Sequence, residues 1–451
     1  MTVDRPGLFD GVLAAGPVRG EVGDRAWLRA MLDVESALAA AGADAGLIER
    51  AHADRIAEVC RIGNWTTEDL AVLGEQAAGT GNPAAPLVRM ITRRAGEAGR
   101  FVHLGATSQD IVDSAAMLLF TRARTLLLAD LDACAEAAAT LAEAHATTVQ
   151  SGRTLGQQAL PVTFGLVAAG WLGALERAAA GLREPRPAVQ LGGATGTLAS
   201  LGVEGPVVLA ALSRRLGLAE PVLPWHTERT RITELAGKLG TAAGAVSGIA
   251  RTITLLAQTE VGEVTEQGPS GSGGSSTMPH KRNPVAAVAA VACARQAPGL
   301  VATLLAAAEQ EHQRAAGAWH AEWRPFSELL RSTGSAVHWL SRSLHRLDVD
   351  PARMRRNLEA TGGLMLAERI TTELAPVVGR LTAHDAVTAC CSRVAEGEGE
   401  LTELLAADPV VGAELSRERI AELLDPADYL GSAGEFVGRA VGQYRNRREN
   451  R

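Results

Sequence analysis

Aromatic side chains are scarce in this chain. Its 451 residues include 7 Trp, 6 Phe and 2 Tyr, about 3%, although hydrophobic residues make up 47%. The apolar mass must therefore be small and aliphatic, which suits closely packed helices. Strands draw instead on aromatic and β-branched residues. Cysteine is also rare: Cys60, Cys134, Cys293, Cys390 and Cys391 form an odd set without a C-x-x-C pair. That argues against a disulfide framework or a zinc site and points to a reducing, cytoplasmic setting. Basic charge is not in excess. A net charge of −7 is a poor footprint for a nucleic-acid binder. The first residues lack a basic stretch followed by an apolar run, and no stretch reaches ~18 apolar residues without a charge. Neither a signal peptide nor a membrane span is expected.

What the chain does have is helical periodicity. Apolar residues recur at three- and four-residue steps from Arg25 to Ala43, and Ala/Leu-rich runs fill Asp113–Thr148, Leu160–Leu182, Ile232–Glu260 and Pro284–His312. Pro161 stands at the start of the Leu160 run, where a helix tolerates proline. Helices this long exceed the typical ~11–12 residues and predict an all-α bundle. Turn signals such as Gly79-Thr80-Gly81-Asn82-Pro83 shorten the helices before residue 110. Gly362-Gly363, Pro376 and Asp408-Pro409 do the same after residue 348. The expected organisation is three-part: an N-terminal helical domain (1–110), a central long-helix bundle (111–347) and a C-terminal helical domain (348–451).

Between two of the long runs lies Gly268-Pro269-Ser270-Gly271-Ser272-Gly273-Gly274-Ser275-Ser276, Gly or Ser at every position but Pro269. A plain flexible connector is one reading. Yet the segment runs directly into Thr277-Met278-Pro279-His280-Lys281-Arg282-Asn283-Pro284, a cluster of polar and cationic groups. Glycine-rich backbone can cup an anion with its N–H groups, Lys281 adds charge and Asn283 adds a directed donor. It is not a P-loop, because G-x-x-x-x-G-K-[ST] is missing.

Residues Gly274 to Pro284 closely resemble the signature of the fumarase/aspartase superfamily. Two more of its regions follow the expected order: His103-Leu104-Gly105-Ala106-Thr107-Ser108-Gln109-Asp110, and Gly152-Arg153-Thr154 running on to Pro161. Within the superfamily the chain is most similar to the bacterial carboxymuconate cycloisomerases. Pro224-Trp225-His226-Thr227, Ala318-Trp319-His320-Ala321-Glu322-Trp323 and Leu424 to Gly431 carry that likeness, which covers nearly the whole chain.

The resemblance implies chemistry at the carbon β to a carboxylate, through a dianionic aci-carboxylate whose charge the enzyme must stabilise. It makes Ser275 the group that moves a proton to or from carbon, with Lys281 and Asn283 as its catalytic partners on the reacting carboxylate. Thr107, Ser108 and Gln109 become donors for a second carboxylate, and His103, Thr154, Gln158, Ser276 and Met278 become substrate contacts. His103 also reads as a hydrogen-bonded buried histidine. Arg229 and Arg231 read either as carboxylate binders, Arg231 more so, or as helix ion pairs. The Trp319–Trp323 cluster reads as packing or subunit contact. No metal or organic cofactor is implied. A homotetramer is implied, with sites shared between subunits and a small polycarboxylate as substrate.

The chain departs from relatives at one place. Cycloisomerases and adenylosuccinate lyases aligned here usually carry histidine at the position of Gln158, and fumarases carry one at the position of Leu155. Glutamine cannot act as a general acid near neutral pH. Elimination of water or an amine-bearing nucleotide is therefore disfavoured. Lactonisation of a carboxymuconate fits, and so does expulsion of a good leaving group from a 2-substituted succinate such as nitrosuccinate. A non-catalytic helical scaffold is a third reading, opposed by the intact Ser275, Lys281 and Asn283.

Overall fold

The computed structural model describes residues 7–268, 278 and 281–449. It is dominated by helices, five of which have 20 residues or more: Asp24–Asp44, Ser108–Ala144, Phe164–Arg183, Thr230–Leu256 and Ala318–Leu344. The all-α reading holds, and among the described residues β-structure amounts to two small two-stranded sheets and an isolated parallel bridge between Ala188 and Ala219.

Three of the long runs match the expectation closely, and two do not. The Leu160 run begins as a strand. Val149–Thr154 pairs antiparallel with Gln157–Thr163, so Pro161 lies opposite Ser151 and the helix starts only at Phe164. A proline lacks the N–H that a central strand needs, but a two-stranded sheet has only edges. The Pro284 run is divided into Val285–Ala294 and Ala297–Ala306. Pro298 lies in the first turn of the second piece, where its missing N–H does no harm. A continuous helix through it would have lost a hydrogen bond. The sequence reading also missed Ala318–Leu344, which carries Pro325 near its start.

Two stretches, Thr230–Leu256 and 285–306, are apolar enough to match a membrane span by length and composition, although charged residues interrupt both. Both bury part of their surface inside the protein, as a core helix of the same composition would.

The chain divides into two compact units. The first comprises Met1–Asp132, Arg177–Gly248 and Val288–Ser341, and the second Ala133–Glu176, Ile249–Ala287 and Arg342–Arg451. In the first, Leu28, Leu32 and Leu38 of the Asp24 helix are buried, and the Ser108 helix is buried at every position from Gln109 to Phe120. In the second, the short C-terminal helices close around Ile370, Leu374, Val387, Leu405, Val411 and Ile420. All five cysteines are free thiols.

Candidate active site

The expected site residues fall into two groups, one per unit. The first unit holds His103, Thr107, Ser108, Gln109 and Arg231. The second holds Thr154, Gln158, Met278, Lys281 and Asn283. Ser275 and Ser276 lie outside the described residues.

In the first unit, a tight turn feeds the Ser108 helix. His103 and Gly105 both adopt positive φ, at 62° and 74°. Gly105 is required there, because a Cβ would lie 2.3 Å from the Leu201 side chain. Asp110 reaches back to the Thr107 N–H at 2.9 Å, the pattern expected three residues into a helix. The same carboxylate accepts from the Gly192 and Gly193 N–H groups at 3.0 and 2.9 Å, and His226 Nε2 stands 2.7 Å from it. Four contacts thus fix one buried carboxylate, and with it the loop that presents Thr107 and Ser108. A side chain at Gly192 would strike His226 and Pro224, each 2.8 Å from its Cβ.

Gln109 differs from the sequence reading. It is buried, and its amide donates to the His226 carbonyl at 2.8 Å and to Asp113 at 3.2 Å. Its donors serve the core here, where the sequence reading offered them to a substrate carboxylate. Thr107 and Ser108 are half-buried, and the Thr107 hydroxyl accepts from the Arg314 guanidinium. Arg314 was not singled out in the sequence. It lies 207 residues away from Thr107 and in no motif used there.

His103 Nδ1 lies 2.7 Å from the buried Glu35 Oε1. Burial pulls the imidazole pKa down, but the Glu35 carboxylate, by charge and hydrogen bond, and Asp110 outweigh it and raise the pKa above 6.5. His103 is therefore the hydrogen-bonded histidine that the sequence allowed, and it stands on the turn that carries Thr107.

The two arginines separate cleanly. Arg229 is buried between Asp113, at 2.8 and 3.1 Å, and Glu322, at 3.0 and 2.5 Å. Burial disfavours its charge, yet the two carboxylates raise its pKa above the ordinary value. Trp319 Nε1 donates to the same Asp113 at 3.0 Å. The Trp319–Trp323 cluster is therefore packing, as read, and Arg229 is an ion pair. Arg231 is half-buried, and its Nε is enclosed without a hydrogen-bond partner among the described residues. A buried donor of this kind needs a hydrogen-bond acceptor.

In the second unit, the 149–163 hairpin carries Thr154 and Gln158 on either side of a two-residue turn, Leu155-Gly156. Arg153 is clamped by both oxygens of buried Glu263, at 2.9 and 2.5 Å, and Asn357 donates to Glu263 at 2.7 Å. Thr154 is exposed. Gln158 Nε2 donates to the Asn357 carbonyl at 3.1 Å, while its Oε1 is buried with no partner. Lys281 and Met278 are exposed, Asn283 is half-buried, and the Lys281 N–H donates to the Met278 carbonyl at 3.1 Å. This unit thus carries the exposed Lys281 ammonium, a charge suited to a carboxylate ligand, and on the hairpin a Gln158 carbonyl oxygen that can accept from a donor. Among the described residues, no three His, Cys, Asp or Glu side chains group as metal ligands.

A model of a lyase family matches residues 12–299, and one described as the adenylosuccinate lyase C-terminus matches residues 363–440. The chain belongs to the fumarase/aspartase lyase superfamily. It is 47% identical to a 3-carboxy-cis,cis-muconate cycloisomerase of Pseudomonas aeruginosa over 97% of this chain and 96% of that protein. It is 42% identical to a nitrosuccinate lyase of Streptomyces davaonensis over 97% of this chain and 94% of that one. The solved 3-carboxy-cis,cis-muconate lactonizing enzyme of Pseudomonas putida superposes with a TM-score of 0.91, at 42% identity, covering 97% of this chain and 99% of that one. These relatives are enzymes, and both branches expected from the sequence are among them.

Proposed function

We propose that this lyase-superfamily enzyme is a 3-carboxy-cis,cis-muconate cycloisomerase. The full-length likeness to enzymes of that name carries the reading. Gln158 fits this reading and the second one below alike: its amide donates to the Asn357 carbonyl, and a carboxamide at this position supplies no acid for a leaving group.

Lactonisation needs no leaving group. One carboxylate oxygen of the substrate adds to the alkene carbon β to another carboxylate. The alkene electron pair moves into that second carboxylate, giving the aci-carboxylate dianion. Ser275 then delivers a proton to the α carbon, and the lactone forms with no atom lost. Lys281 and Asn283 stabilise the dianion, where charge develops most. Thr107, Ser108 and Arg314 hold a further carboxylate, and Arg231 offers its free donor to the same polyanion. Thr154 and Gln158 contact substrate from the hairpin, with His103 and Ser276 beside their motifs and Met278 as apolar wall. A homotetramer with sites shared between subunits accompanies the reading, and light scattering measures it.

The second reading is elimination of nitrite from nitrosuccinate, favoured by the Streptomyces relative at 42% identity. The two separate in one assay. Incubation with 3-carboxy-cis,cis-muconate should bleach the diene absorbance and yield a lactone. Release of fumarate from nitrosuccinate, with the muconate untouched, would replace the first reading by the second.

A further inference from the structure

Glu266 ends the strand Val264–Glu266, two residues before the Gly/Ser-rich run begins. Its carboxylate bonds to residues that follow that run in the sequence. Oε2 accepts from the Ala286 N–H at 2.9 Å and Oε1 from the Ala287 N–H at 2.8 Å. These are among the first N–H groups of the helix Val285–Ala294, which have no acceptor within their own helix. The Ser343 hydroxyl donates to Oε1 at 2.5 Å. The strand is itself anchored, since Glu266 pairs with Leu347 and Val264 with Val349.

This arrangement is not the ordinary local cap. Helices are usually capped by Ser, Thr, Asp or Asn directly before the first turn. Here Pro284 occupies that place and has no side-chain oxygen. The acceptor comes instead from 20 residues upstream. A carboxylate at a helix N-terminus also gains from the helix dipole. One side chain therefore links the end of the strand to the start of the helix, and Asn283 lies only three residues before Ala286.

We infer that Glu266 is a positioning residue for the reaction proposed above, and the inference rests on that reading of Lys281 and Asn283. It does not touch substrate. It fixes where the segment re-enters the helix, and so where the Lys281 ammonium and Asn283 amide stand when they meet the developing dianion. Misplacement of such groups by ~1 Å can cost on the order of a hundredfold in rate. Without the Glu266 carboxylate this link between strand and helix is lost, and two helix N–H groups are left without their acceptor.

The test compares the full-length wild type with Glu266→Ala and Glu266→Gln, using hydrogen–deuterium exchange by mass spectrometry and steady-state kinetics on 3-carboxy-cis,cis-muconate. In Glu266→Ala, peptides covering residues 285–294 should exchange faster while the thermal midpoint changes little. Its kcat should fall about tenfold or more. Glu266→Gln keeps one carbonyl acceptor and should recover part of both losses. Wild-type exchange in that peptide, or wild-type kcat in Glu266→Ala, overturns the inference. A variant that fails to fold is replaced by Glu266→Gln, judged by the same two readouts. If the wild type leaves the muconate unchanged, the functional reading falls, and the exchange comparison alone decides whether Glu266 clamps the helix.

Discussion

Arg153 and Glu263 meet through two N–H···O contacts, and Glu263 is completely buried. The pair pins the first strand of the hairpin on which Thr154 and Gln158 sit. Glu263→Gln keeps the shape but leaves the Arg153 cation without its counter-charge. Breaking a buried pair from one side costs about 3 kcal/mol or more. Arg153 retains some solvent, so the expected loss is about 2 kcal/mol. Urea unfolding of the two proteins measures it, and an unchanged midpoint would show that the pair contributes nothing.

The same hairpin carries a strained tip. Leu155 and Gly156 adopt φ of 52° and 80°, and Leu155 is fully exposed. A turn of this type favours Asn-Gly, because a Leu side chain in the left-handed region crowds its own carbonyl. Leu155→Asn should raise stability by about 1 kcal/mol, read as a higher unfolding midpoint. A lower midpoint would mean that the exposed leucine makes a contact worth more than the strain.

A third prediction follows from the His103–Glu35 contact. His103 has a folded pKa above its ordinary 6.5. Its stabilising contribution is therefore complete below about pH 6.5 and is lost as the pH rises through the higher folded value. The stability difference between wild type and His103→Gln should be largest at the acidic end of a pH 5.5–9 series and shrink upward. A difference that grows with pH would reverse the sign and exclude a stabilised imidazolium.

The sequence made some of this legible and concealed the rest for physical reasons. The long helices showed through because period-3.6 patterning is local, and the Asp24–Asp44 and Thr230–Leu256 boundaries match within a few residues. The hairpin was hidden because its second strand runs into the Phe164 helix without a turn signal, and Pro161 imitates a helix start. The site motifs were legible as resemblance, residue by residue. Their support was not. Asp110 meets His226 across 116 residues, and Arg229 meets Asp113 across 116 and Glu322 across 93. No local pattern reports such pairings. Hence Gln109 read as a substrate donor when its amide belongs to that buried network, and Arg314 passed unnoticed beside Thr107.

In the function proposed above, the enzyme protonates a carbon next to a carboxylate, with Ser275 moving the proton and Lys281 and Asn283 holding the dianion. Running the reaction of 3-carboxy-cis,cis-muconate in D2O and reading the product by NMR tests it most directly. The wild-type enzyme should give a lactone with one deuterium on the carbon α to a carboxylate, and Ser275→Ala should give no lactone above background. A lactone without deuterium, or a Ser275→Ala variant that works like the wild type, would contradict it.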